Sequence, residues 1–150
     1  MKRLHVHLAV DDLNANIQFY SALFGMEPVI RKHDYAKWLV EDPRVNFAIS
    51  SGGKKTGLDH VGIQAEDDSE LAEIHQRFAE TESQVTAQSG AECCYARSDK
   101  YWTVDPQGTP WEAFHTLGDI RKFGSDRDRG KTEDATSCCT PSPDSTCCAN

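Results

Sequence analysis

At 150 residues with a formal charge of −8, the chain can bury one ordinary core, as a single domain or two small fused modules, and it lacks the clustered Lys and Arg that displace counterions from nucleic acid. No apolar run nears the ~20 residues needed to span a bilayer, and residues 1–7 carry no apolar signal-peptide stretch, so neither nucleic acid nor membrane is an expected partner and a cytoplasmic location is expected. All six cysteines stand as neighbours, Cys93-Cys94, Cys138-Cys139 and Cys147-Cys148, which suits thiol ligation better than a framework of spaced disulfides, because bridging immediate neighbours is strained.

Residues 4–10 alternate, with Leu4, Val6, Leu8 and Val10 on one face and His5, His7 and Ala9 on the other, which predicts a strand. Asp11-Asp12 offers a helix N-cap, Leu13, Ile17, Tyr20, Leu23 and Phe24 recur at helical spacing, and Gly25 supplies the stop. Strands are predicted over residues 35–40 and 45–50 with Glu41-Asp42-Pro43-Arg44 as their turn, and residues 51–55 read as a linker. The pattern then restarts. Residues 58–65 form a strand with His60 near its start, as His5 is in the first half, and Asp67-Asp68-Ser69 cap a helix with Leu71, Ile74 and Phe78 along one side. The chain continues through residues 84–91, Tyr101-Trp102-Thr103-Val104, the turn Asp105-Pro106-Gln107-Gly108 and a last strand over 111–115. The predicted fold class is α+β: two tandem βαβββ modules, about 1–53 and 54–118, forming a domain over 1–123 around an open cleft. Residues 124–150 contain no Leu, Ile, Val, Met or aromatic residue and are predicted to be a disordered tail. Cys138, Cys139, Cys147 and Cys148 are its groups with special chemistry, suited to scavenging soft metals or metalloids if they have a role.

The strand phases bring candidate ligands together. His5 and His60 point away from the aliphatic faces of equivalent strands, and Glu112 shares a face with Phe114, opposite Trp111 and Ala113. Two histidines and a carboxylate leave open coordination positions on Fe(II), and the same trio suits Zn(II) or Mn(II). His7 shares the face of His5 and is its rival as a ligand, whereas His33, His75 and His115 lack a matched partner and read as structural or exposed.

The order His5, His60, Glu112 across two fused modules resembles the vicinal oxygen chelate superfamily of glyoxalases, bleomycin-resistance proteins and dioxygenases. The segments Lys2-Arg3-Leu4-His5-Val6-His7, Phe19-Tyr20-Ser21-Ala22-Leu23-Phe24-Gly25, Tyr35-Ala36-Lys37-Trp38 and above all Cys93-Cys94-Tyr95-Ala96-Arg97-Ser98-Asp99-Lys100-Tyr101-Trp102 resemble the carbon-arsenic lyases and the related cadmium-induced proteins. The resemblance implies a glyoxalase-like fold and an Fe(II)-dependent dioxygenase cleaving the carbon-arsenic bond of methylarsenite and trivalent aromatic arsenicals. It implies His5, His60 and Glu112 as the iron ligands, a trivalent organoarsenical and dioxygen as small-molecule partners, and a monomer or homodimer. Glyoxalase I usually takes a second glutamate from the first module, where this chain has Asn46 and Ser50.

Trivalent arsenic is soft and favours thiolate over oxygen donors. A monosubstituted arsenical has two exchangeable hydroxyls, so the two thiols of Cys93 and Cys94 saturate it, provided the backbone leaves the strand there. In a regular strand the two side chains would point to opposite faces. Gly90 and the polar run after Cys94 predict such a loop, and Arg97 and Lys100 would favour the thiolates while Glu92 opposes them. Tyr101, Trp102 and Trp111 read as core, although an aromatic wall would suit aryl substrates. Two other functions fit the residues: a soft-metal sequestering protein without turnover, and another metal-dependent enzyme of the superfamily such as a thiol transferase.

Overall fold

The computed structural model describes residues 1–52 and 55–121. The predicted tail, with Cys138, Cys139, Cys147 and Cys148, lies outside the described residues, as does part of the predicted linker. The first module comprises β1 (Arg3–Ala9), α1 (Leu13–Phe24), β2 (Ile30–Arg31), β3 (Tyr35–Glu41) and β4 (Arg44–Ser50). The second comprises β5 (Gly57–Ala65), α2 (Asp68–Glu80), β6 (Thr86–Cys93), β7 (Ala96–Val104) and β8 (Pro110–Asp119).

All strands join one mixed sheet in the order β2-β3-β4-β1-β5-β8-β7-β6, so each module contributes one half and the halves meet at β1 and β5. Within each half the central pair is parallel, β1 with β4 and β5 with β8, while the two halves meet antiparallel. At that seam Val6 faces Val61, His5 faces Gly62 and His7 faces His60. A pseudo-twofold through the Val6/Val61 pair therefore relates His5 to His60 and His7 to Gly62. Since β4 matches Ala48 to His7 and β8 matches Glu112 to Gly62, the same relation puts Ala48 in the place of Glu112.

The helices start and stop where the sequence caps them. The Asp12 carboxylate accepts from the Ala15 N–H at 3.0 Å and Gly25 closes α1 in the left-handed region at φ 64°, which a residue with a Cβ enters at a cost. The Asp67 carboxylate accepts from the Glu70 N–H at 2.8 Å to open α2. Each helix covers the face of its own half. Leu13 and Ile17 of α1 pack with Ala36, Trp38, Phe47 and Ile49, and Leu71, Ile74 and Phe78 of α2 pack with Ala65 and Ala113. Tyr20 and Phe24 extend the first cluster, but Leu23 is 63% exposed, because it sits about 100° around the helix from the stripe that buries Phe24. β2 is two residues long, too short to show a period. Residues after Cys94 form β7 rather than the predicted loop, and Gly90 at φ 61° lies at a bulge inside β6.

The other face of the sheet carries the cavity. Side chains from strands of both halves, including β1, β3, β4, β5, β7 and β8, converge on it, so the sheet wraps round the cleft. Gly62 sets how closely the strands approach there: a Cβ at this position would lie 2.2 Å from the Glu112 carbonyl oxygen and 3.1 Å from the Glu112 Cβ. Gly62→Ala should therefore force β5 from β8, costing about 1–3 kcal/mol. A melting temperature several degrees lower is the expected outcome in thermal denaturation.

Candidate functional site

Alternation along the seam strands turns His5, His7 and His60 inward, all at most 6% exposed. His5 Nε2 and His60 Nε2 lie 3.1 Å apart, with Glu112 Oε2 at 3.7 Å from the first and 3.4 Å from the second. The other ring nitrogens are committed. His5 Nδ1 meets the Asn46 carbonyl oxygen at 2.9 Å, and His60 Nδ1 meets Asp59 Oδ1 at 2.6 Å. Both acceptors take a proton from Nδ1, so with both rings neutral the two Nε2 lone pairs would be face to face. Such a pair is repulsive unless a cation, a proton or a metal, sits between them, and oriented imidazoles with one carboxylate are a donor set for a divalent metal. The three ligand atoms of His5, His7 and His60 also fall within 4.8 Å of one another. His7 Nε2 is held by Ser50 Oγ at 2.9 Å.

Charge supports the same assignment. Burial, only partly offset by Glu112, pushes the His5 pKa down to about 4, so this ring is neutral near pH 7. Burial opposes ionisation of Glu112, yet Lys100 and His60 outweigh it and hold the carboxyl well below its usual range. Burial likewise works against protonation of His60, but Asp59 and Glu112 outweigh it and raise its pKa. Lys100 Nζ donates to Glu112 Oε1 at 2.7 Å. The predicted metal residues are thus brought together around one point.

The thiols reach the same cavity by a turn. β6 ends at Cys93, which pairs with Ala96, and the two residues between, Cys94 at φ 55° and Tyr95 at φ 63°, are both left-handed, as in a two-residue hairpin of the primed type. The alternation that would separate adjacent side chains is broken, and the two Sγ atoms lie 3.1 Å apart. Positive φ at two non-glycine residues costs about 1–3 kcal/mol each, and Tyr95 supplies the compensation. Its ring packs with Tyr35 and Ala48 of the first module, its hydroxyl donates to Asp34 Oδ1 at 2.6 Å, and its carbonyl accepts from the Ile120 N–H at 2.8 Å. The hydrogen bond with Cys93 and then burial push the Cys94 thiol well above its ordinary pKa, with Lys100 opposing.

The cavity holds about 80 Å³, room for a few waters or a small ligand. Its walls include Trp102, which stands edge-on to His60 with ring centroids 5.2 Å apart, so this residue is not part of the core; Tyr101 and Trp111 pack against the core cluster of the second half, as expected of core residues. Arg97 is exposed and Lys100 faces Glu112, so the basic residue expected to serve the thiols chiefly serves the carboxylate. Sequence reasoning missed the roles of Asp59 and Tyr95, and for Trp102 it preferred core over the aromatic wall that it forms. Counting back in steps of two from the Asp105-Pro106-Gln107-Gly108 turn would have placed Lys100 and Trp102 on the face of Glu112, because β7 and β8 pair across it. His33 is exposed, His75 stacks on Tyr101 at 3.9 Å, and His115 meets Asp68 at 2.9 Å, all away from the cavity.

Known proteins carry the same frame. The chain is 44% identical over 120 residues to the trivalent organoarsenical cleaving enzyme of a Bacillus species (strain MD1), covering 77% of this chain and 74% of that protein. It is 35% identical over 146 residues to the cadmium-induced protein CadI of Mycobacterium tuberculosis, covering 93% of each. Homoprotocatechuate 2,3-dioxygenase from Brevibacterium fuscum superposes with a TM-score of 0.57 at 15% identity, covering 81% of this chain and 38% of that one, a likeness of fold. The model of the Glyoxalase/Bleomycin resistance protein/Dioxygenase superfamily matches residues 2–113, and the chain belongs to that superfamily.

Proposed function

We propose that the protein, using Fe(II) and dioxygen, cleaves the carbon-arsenic bond of trivalent organoarsenicals: dioxygen oxidises the carbon, which leaves as an oxygenated organic product, and arsenic, still trivalent, leaves as arsenite. The observation that carries the reading is the pair of thiols 3.1 Å apart opening into the cavity that also holds His5, His60 and Glu112. The 44% identity to a protein named for organoarsenical cleavage supports it.

His5, His60 and Glu112 would hold the ferrous ion, which when bound supplies the redox chemistry of dioxygen activation. Cys93 and Cys94 bind the substrate by exchange: each S–H replaces one As–OH, two As–S bonds form and two waters leave. Protons and charge balance without a prior thiolate, so the raised thiol pKa of Cys94 does not prevent capture. Anchoring arsenic to a fixed turn orients its organic group, which is where an enzyme gains rate from positioning. Trp102 and Phe114 form an apolar wall for that group and exclude water from it. Inorganic arsenite has a third exchangeable hydroxyl that two thiols leave unbound, so the pair holds the product less completely than the substrate. The second reading, soft-metal binding without turnover, is favoured by two adjacent thiols that form no disulfide and by the likeness to CadI.

Arsenic speciation after incubating iron-loaded protein with methylarsenite in air separates the two. Arsenite should appear with wild-type protein and fail to appear with Cys93→Ser or Cys94→Ser, whose iron content stays normal, because serine is a hard and un-ionised donor. His60→Ala and Glu112→Ala should bind iron at least tenfold more weakly, while His60→Ala still captures the arsenical. Serine variants that cleave at the wild-type rate would sink the clamp, and a wild type that releases no arsenite would favour sequestration.

Tyr95→Phe removes the hydroxyl that ties the thiol turn to Asp34. Loss of that bond should cost about 1–2 kcal/mol of turn stability, read as a KM for organoarsenical raised about tenfold, with iron content unchanged.

A further inference from the structure

We propose that Lys100 is a positioning residue that confines Glu112 to one donor oxygen, keeping open a coordination position that a chelating carboxylate would close. The inference rests on the reading of His5, His60 and Glu112 as the metal donors.

A glutamate carboxylate can offer a metal one oxygen or both. Here the two are divided: Oε1 takes the Lys100 ammonium at 2.7 Å, while Oε2 is the oxygen at 3.4 Å from His60 Nε2 and 3.7 Å from His5 Nε2. The division is built into the sheet. On the β7/β8 pair Lys100 lies opposite Phe114 and Trp102 opposite Glu112, so the ammonium and carboxylate are diagonal neighbours on the cavity face. Lys100 is 7% exposed, and its Nζ lies 5.8 Å from the Phe114 ring centroid and 6.0 Å from that of Trp102. Those faces favour a cation and limit where the head can go. A buried ammonium is costly and does not strengthen a metal site, because its charge repels the ion. A lysine placed here therefore lowers affinity for a divalent ion while fixing the carboxylate, a trade that suits a site needing open positions for reactants.

The test uses Mn(II), whose bound waters are counted by water-proton relaxation, on full-length wild type, Lys100→Met and Lys100→Arg. In Lys100→Met the freed Oε1 should displace one of three waters, lowering inner-sphere relaxivity by about a third. Mn(II) binding should become severalfold tighter as the repelling charge is lost, and organoarsenical turnover should fall. Lys100→Arg, which keeps a charged donor, should restore the wild-type relaxivity. A purely structural lysine predicts the opposite sign, weaker Mn(II) binding in Lys100→Met. That result, or unchanged relaxivity, overturns the proposal while leaving the metal assignment intact. Mn(II) binding by Glu112→Ala as tight as wild type would overturn the metal assignment and the role of Lys100 with it.

Discussion

Two imidazole Nε2 atoms held 3.1 Å apart, in rings whose Nδ1 atoms are hydrogen-bonded elsewhere, are the constraint around which the cavity is arranged. Neutral rings in that pose repel, and the buried carboxylate beside them makes the point between them attractive only to a positive charge. The protein therefore carries, at the seam of its two halves, a cluster whose polar groups are satisfied together only with a cation present. Lys100 supplies part of that positive charge from one side, and Asp59 and the Asn46 carbonyl oxygen fix the rings from the other.

The symmetry of the fold accounts for the pairing, and departures from it account for the chemistry. The pseudo-twofold repeats His5 as His60, but it also matches His7 with Gly62 and Glu112 with Ala48. A symmetric version of the site would bring a second carboxylate and a fourth imidazole into the same small space. Glycine at position 62 lets β8 close on β5, and alanine at position 48 supplies no carboxylate there.

The thiols are held by a compensated strain. Two adjacent left-handed residues would be costly in an exposed loop, yet here the second of them, Tyr95, buries its ring against the other module and anchors its hydroxyl and carbonyl. The turn that unites the sulfurs is consequently tied to both halves of the fold. In the proposed function, substrate capture and metal binding would share one scaffold while depending on different residues and different chemistry.

Much of this was determined by the sequence alone. Period-two alternation set the inward faces of β1, β5 and β8, capping aspartates and Gly25 set the helices, and the repeat of strand, helix and strands set the module order, because these are local rules of backbone geometry and burial. The inward placing of His5, His60 and Glu112 was legible in that way, whereas Cys93 and Cys94 stood out by thiol chemistry and resemblance, against the alternation of a strand. Tertiary structure alone decided which groups hold them. Asp59 gains its role from a one-residue reach to His60, Lys100 from a diagonal across a hairpin register, and Tyr95 from a residue 61 positions away in the chain. The two-residue turn at Cys94 and Tyr95 contradicts local preference, since neither residue favours positive φ, and it persists because packing across the modules outweighs that preference. Trp102 became a wall rather than core for a similar reason: alternation gives a side chain one of two faces, and only the closed sheet decides which face is the cavity.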